Sequence, residues 1–227
     1  MRVAVLFSGG KDSTFASHVA LEQGWDVRCL VTLVPARNDS YMFHHPCAEL
    51  TRLQAEAMGI RHVMRGTAGE KEKELEDMTA AIRSVADEID AVVSGAIASR
   101  YQKDRVDAVC KELGLRSITP LWGKDQLTLL RDEIGAGLEI VMTAVATEGL
   151  DAKWLGRKID AAAARELAAL QKKFGINSSG EGGEYESFVI NAPFFKKKIE
   201  LGAVEKIWDA DTNSGYIVCK NARLVSK

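Results

Sequence analysis

The segment Ser8-Gly9-Gly10-Lys11-Asp12-Ser13 constrains this chain more than any other. It follows the apolar run Val3-Ala4-Val5-Leu6-Phe7 and precedes a helical pattern over 13–23. A short continuous apolar run ended by two glycines reads as a buried strand of a parallel sheet. In the helical pattern, Phe15 and Val19, and Ala16 and Ala20, fall four apart, and Gly24 suits the C-cap. Strand, turn and helix in that order place the turn beyond the strand's carboxyl end, where open α/β sheets bind ligands. The glycine pair lets the backbone turn tightly and bring N–H groups close to an anion. The helix N-terminus adds partial positive charge at the same spot. Ser8, Ser13 and Thr14 add hydroxyls and Lys11 a full charge, so the segment suits a polyphosphate. Neither G-x-x-x-x-G-K-[ST] nor G-x-G-x-x-G is present, which sets it apart from Walker A loops and the usual dinucleotide fingerprint.

The pattern continues as strands alternating with helices: strands over 27–34, 60–64, 91–93 and 115–118, and helices over 48–58, 70–89 and 99–113. The helix over 70–89 carries Leu75, Met78, Ile82, Val85 and Ile89 at alternating three- and four-residue steps. Such alternation means βαβ units, a parallel sheet and right-handed crossovers with helices on both faces. The expected fold class is therefore α/β, a Rossmann-like parallel sheet, followed by a smaller α+β domain. Past Leu121 the expected elements are helices near 125–134 and 161–174 and strands near 138–147, 187–190, 206–209 and 215–225, with a hairpin at 212–215. The expected domains are 1–125, binding nucleotide, and 126–227, binding substrate.

With 46% hydrophobic and 27% charged residues, the chain matches a folded domain rather than a disordered one. Net charge −2 argues against a broad nucleic-acid-binding face. No apolar stretch approaches the ~18 residues of a membrane span. Cys29, Cys47, Cys110 and Cys219 match no zinc or C-x-x-C spacing and read as reduced thiols in a cytoplasmic protein.

Three further segments carry candidate chemistry. Ser179 to Glu186 holds three glycines and the carboxylates Glu181, Glu184 and Glu186 within eight residues. It reads either as an acidic surface loop or as a ligand site where Gly182 and Gly183 admit close approach. Ser40-Tyr41-Met42-Phe43-His44 could flank an adenine, with His44 at a phosphate, or could simply pack. Ser94-Gly95-Ala96-Ile97 ends the fourth strand, and Tyr101, Gln102 and Arg105 follow on the next helix. Gln102 and Arg105 share a face near the strand ends, as a surface pair or at the nucleotide.

SGGKDS at 8–13 resembles the PP-loop of the N-type ATP pyrophosphatases, of HUP-type fold. Together with SYMFH at 40–44, SGAIASRYQKDR at 94–105, PLW at 120–122 and GEGGEYES at 180–187, the chain resembles the diphthine–ammonia ligase family. SGGKDS marks the superfamily, and the EGGEYE segment points to this branch. The compact length is similar to that of archaeal members. The resemblance implies ATP-dependent, AMP-forming amidation of the diphthine carboxyl on translation elongation factor 2, through an acyl-adenylate and free ammonia. It implies ATP and Mg²⁺ as cofactors. Ser8, Gly9, Gly10, Lys11, Asp12, Ser13, His44 and Gly95 would bind ATP, with Lys11 and Asp12 catalytic and Asp12 placing the metal. Tyr101, Gln102, Arg105, Glu181, Gly182, Gly183, Glu184 and Glu186 would form the substrate side, and Glu184 is open as a metal ligand. No cysteine stands near Met1 to serve a glutaminase, in keeping with ammonium as the nitrogen source. The sequence leaves a homo-oligomer open. The competing readings are a tRNA-modifying PP-loop enzyme and a non-catalytic nucleotide-binding module.

Overall fold

The computed structural model describes residues 1–35, 47–67 and 71–227. The first half alternates β1 (Arg2–Leu6), α1 (Lys11–Glu22), β2 (Asp26–Pro35), α2 (Thr51–Met58), β3 (Arg61–Thr67), α3 (Lys71–Arg83), β4 (Ala91–Val93), α4 (Arg100–Glu112) and β5 (Arg116–Ile118). The five strands form one parallel sheet in the order β3-β2-β1-β4-β5. Successive side chains of a strand point to opposite faces, and here both faces are covered. Val3 and Val5 of β1 pack with Phe15, Ala16 and Leu53 from the side of α1 and α2. Ala4 packs with Met78, Ile82, Val106 and Val109 of α3 and α4 on the other.

The expected helix over 70–89 stops at Arg83 and resumes as a short 3-10 turn, Ala86–Glu88. Ser84 Oγ donates to the Ala81 carbonyl at 2.7 Å, the back-bonding that competes with helix continuation. Val85 and Ile89 remain buried all the same, because the turn keeps their side chains on the sheet.

The second half contains α5 (Gln126–Gly135), β6 (Glu139–Val145), α6 (Ala161–Phe174), β7 (Tyr185–Asn191), β8 (Lys198–Leu201), β9 (Val204–Asp209), β10 (Ser214–Cys219) and β11 (Ala222–Val225). Its main sheet has the order β7-β6-β10-β9 and is antiparallel. β9 and β10 form the expected hairpin, with Asn213 at φ 48° in the tight turn. The expected strand over 215–225 divides at Lys220-Asn221, and its second part pairs with β8 in a separate two-stranded sheet. One hydrophobic core joins the halves, running from Val3 and Phe7 to Leu129, Leu138, Phe188 and Ile199.

Beside the end of β1, Thr32 donates its single hydroxyl proton to the Phe7 carbonyl at 2.7 Å. Its oxygen must then accept from His62 Nε2–H at 2.8 Å, which places a proton on Nε2. Burial lowers the His62 pKa to about 4 from 6.5. The unfolded chain therefore binds this proton first as pH falls, so the stability contribution is present above pH 6.5 and lost on the way down to pH 4. After allowance for partial exposure, His62→Gln is expected to remove roughly 1–2 kcal/mol of the pH dependence over that range. Denaturant melts at pH 7 and pH 4 check this, and equal losses in both proteins would contradict it.

Candidate active site

In the sheet order, β1 is the strand from which the chain winds outward in both directions, to β2 on one side and to β4 on the other. The crevice at such a switch point opens between the loops that follow β1 and β4. A cleft of about 670 Å³ occupies it, within the range of small-molecule sites. Its lining draws on the loop after β1, the loop after β4, the glycine-rich segment before β7, and the ends of β6 and β10.

The loop after β1 is fixed from below. Gln54 Nε2 donates both to the Gly9 carbonyl at 2.9 Å and to the Val189 carbonyl at 2.8 Å, tying α2 to β7 beneath the turn. Gly9 has φ +81°, and a Cβ there would collide with Gln54 Oε1. Ser13 Oγ accepts from the Ser8 amide at 3.2 Å, Ser8 Oγ from the Gly10 amide at 3.4 Å, and Ser187 Oγ from the Lys11 amide at 3.2 Å. The amides of Asp12 and Ser13, in the first turn of α1, have no protein acceptor among the described residues. They are the N-terminal donors an anion would use.

Lys11 lines the cleft but is only 1% exposed, and its ammonium lies 2.6 Å from Asp12 Oδ1 and 3.8 Å from Glu133 Oε2. Burial alone would lower its pKa. The Asp12 and Glu133 carboxyls, with Tyr185, outweigh that and hold it above the ordinary lysine value. Glu133 is fully buried on α5, and burial pushes its pKa well above the usual carboxylate range against the pull of Lys11. Neither Glu133 oxygen has a hydrogen bond of normal geometry among the described residues. The cluster is therefore an ammonium paired with Asp12, with a buried carboxyl behind it whose charged form burial disfavours. Glu133 was not among the expected site residues. Its signal in the sequence was a carboxylate on the apolar face of a helix, three and four residues from the buried Leu130 and Leu129.

The acidic segment before β7 is largely used to build the site. Glu181 Oε1 accepts from the amides of Ile97, Ala98 and Ser99 at 3.3, 2.8 and 2.9 Å, occupying the approach to α4. Ser99 Oγ caps α4 through the Gln102 amide. Glu184 accepts from the amides of Asn177 and Gly182, both at 2.9 Å, and so staples its own loop. Tyr185 donates to the Ser178 carbonyl at 2.9 Å. The neighbouring residues Gly182, Gly183, Glu186 and Ser187 line the cleft, as does Glu181.

Ser8, Gly10, Lys11, Asp12, Ser13, Gly95, Tyr101 and Gln102 line the same cleft. Gly9 lies beneath the loop against Gln54. Arg105 stacks its guanidinium 3.6 Å from the Tyr101 ring centroid, outside the lining, and Glu184 is also outside it. His44 and the 40–44 segment lie outside the described residues. Ser187, Ala144 and the β10 residues Ser214, Gly215 and Tyr216 also line the cleft; their strand spacing alone gave no sign of it.

Two family models match the chain in order: the diphthamide synthase N-terminal domain over residues 1–117 and its C-terminal domain over 125–225. A human diphthine–ammonia ligase is 36% identical over 228 residues, covering 91% of this chain and 85% of that protein. The Danio rerio diphthine–ammonia ligase is 37% identical, covering 93% and 90%. The Schizosaccharomyces pombe diphthine–ammonia ligase is 35% identical over 97% of this chain, which spans 39% of that longer protein. With both domain models matched and these relatives 36–37% identical over more than nine-tenths of the chain, this chain belongs to the diphthine–ammonia ligase family.

Proposed function

We propose that this protein amidates the carboxyl group of diphthine on translation elongation factor 2, using ATP and ammonium and forming diphthamide, AMP and pyrophosphate. The observation that carries the reading is the convergence of the 8–13 loop, the loop after β4 and the 180–187 segment on one cleft at the switch point. In this reading the diphthine carboxylate oxygen attacks the α-phosphorus, and the bond from that phosphorus to the bridging oxygen breaks. The leaving pyrophosphate gathers negative charge where the Asp12 and Ser13 amides and the Lys11 ammonium lie. Ammonia then adds to the acyl carbon, loses its extra proton, and expels AMP carrying the former carboxyl oxygen.

Asp12 is 29% exposed at its side chain, and one of its oxygens is held by Lys11. A cleft-lining carboxylate on the phosphate loop suits Mg²⁺, which usually keeps several waters and takes only one or two carboxylates beside substrate phosphates. When bound there, Mg²⁺ would neutralise phosphate charge. Lys11 would hold Asp12 in place, and Ser187 Oγ would hold the first turn of α1.

The test is incubation with ATP, ammonium and diphthine-bearing elongation factor 2. The expected result is a carboxyl-to-amide mass change with AMP in equal amount, and heavy oxygen placed in the diphthine carboxyl recovered in AMP. Amide without AMP, or AMP without label, would overturn it.

A further inference from the structure

Three strands of the second sheet present one continuous row across the cleft face. Tyr216 of β10 is directly opposite Ala144 of β6, and Ala144 is directly opposite Glu186 of β7. Directly opposed residues of antiparallel strands share a face. The next row, Gly215, Val145 and Tyr185, also borders the cleft, but its side chains go to the opposite face of the sheet, with Val145 1% and Tyr185 3% exposed. Tyr216 and Glu186 are half-buried, and all three members of the first row line the cleft.

With strands about 4.8 Å apart, Tyr216 and Glu186 stand roughly 10 Å apart at the backbone, over a floor that is only a methyl group. On the far side of Tyr216, Ile207 of β9 continues the row as an apolar shoulder. An aromatic wall, a methyl floor and a carboxylate wall make a notch for a compact cation with an apolar surface. An ammonium with free N–H groups would call for several acceptors. A quaternary ammonium has no N–H to satisfy, and binds through aromatic faces and diffuse charge.

We propose that Tyr216, Ala144 and Glu186 form the subsite for the trimethylammonium group of diphthine. This rests on the diphthine reading above, and it makes Tyr216 a specificity-determining residue. The three carboxylates of the acidic segment then divide their work. Glu181 and Glu184 hold backbone, while Glu186 faces the cation. Ser187, the residue after Glu186, accepts from the Lys11 amide, so the cation notch adjoins the phosphate loop and a carboxyl held there would be delivered toward the α-phosphate.

The test uses the full chain and tetramethylammonium chloride as probe, with sodium chloride at equal concentration as control. Tetramethylammonium is expected to compete with diphthine-bearing elongation factor 2 and not with ATP. Tyr216→Ala is expected to raise KM for the elongation factor roughly tenfold and abolish that competition, with KM for ATP unchanged. Tyr216→Phe should retain most of the wild-type behaviour, and Ala144→Leu should fill the notch and mimic Tyr216→Ala. Unchanged KM for the elongation factor in a folded Tyr216→Ala protein would overturn the subsite, as would tetramethylammonium acting no better than sodium. Binding of tetramethylammonium, followed by NMR, separates the two readings. A wild type that binds it through Tyr216 but never amidates diphthine would sink the function and leave the cation notch standing.

Discussion

Lys11→Met is expected to slow AMP formation by at least roughly a hundredfold to a thousandfold, the scale of losing one preorganised charge contact at a developing anion. The ammonium is enclosed, 1% exposed and 2.6 Å from Asp12, so water does not screen its charge at the loop as it would on the surface. Methionine keeps the length of the side chain and removes the charge. Asp12 then loses the partner that holds its carboxylate, and the first turn of α1 loses its cation. The penalty in stability is smaller, about 1–2 kcal/mol. Asp12 is partly exposed and can turn to water, and burial already disfavours a charge on Glu133. Lys11→Arg should not rescue activity, because a planar guanidinium does not fit a site this enclosed. AMP release and a thermal melt on the same sample separate the two effects. AMP formation at the wild-type rate in Lys11→Met would remove the ammonium from the chemistry.

The parts of this molecule legible in the sequence are those fixed by short-range pattern. The apolar run, the glycine pair and the helix behind them are contiguous, so the loop at 8–13 could be read as an anion site before any contact was known. The helix at 161–174 is legible to the residue because Asp160 caps its first amides and Gly175 ends it in the left-handed region. That the first sheet is parallel follows from the alternation of strands and helices. What was hidden depends on contacts distant in sequence. β8 is only four residues long, half of them charged, and exists because β11 pairs with it. Glu181 and Glu184 are the same residue type in the same acidic run. One reaches across 82 to 84 positions to the start of α4, and the other folds back on its own loop. Tyr216 enters the cleft only through the register of β10 on β6. Composition could show that the segment was acidic. It could not show which of its carboxylates bonds which backbone amides.

The register at the switch point also leaves Gly95 no room for a side chain. β1 and β4 are neighbours, with Val5 opposite Val93, so the residues that follow them must pass each other closely. A Cβ on Gly95 would lie 2.8 Å from the Asp12 carbonyl carbon, 2.8 Å from the Ser13 nitrogen and 3.0 Å from the Asp12 oxygen. All three are backbone atoms, so no rotamer change relieves the contact. Ser94 cannot yield readily either, because its amide is bonded to the Ile118 carbonyl at 2.9 Å. The first turn of α1 must therefore withdraw, carrying with it the two amides that an anion would use. Gly95→Ala is expected to cost about 1–3 kcal/mol of stability, the usual scale of forced overpacking. It should also raise KM for ATP at least tenfold. Gly135→Ala is the matched control. It stands at the end of α5 with nothing within 4 Å of the added methyl, and should leave KM for ATP unchanged while gaining a few tenths of a kcal/mol. Isothermal titration with ATP and a melt of each variant decide the matter. Wild-type ATP affinity in a folded Gly95→Ala protein would mean that the nucleotide does not rest on the first turn of α1, and the anion site would have to be sought on another wall of the cleft.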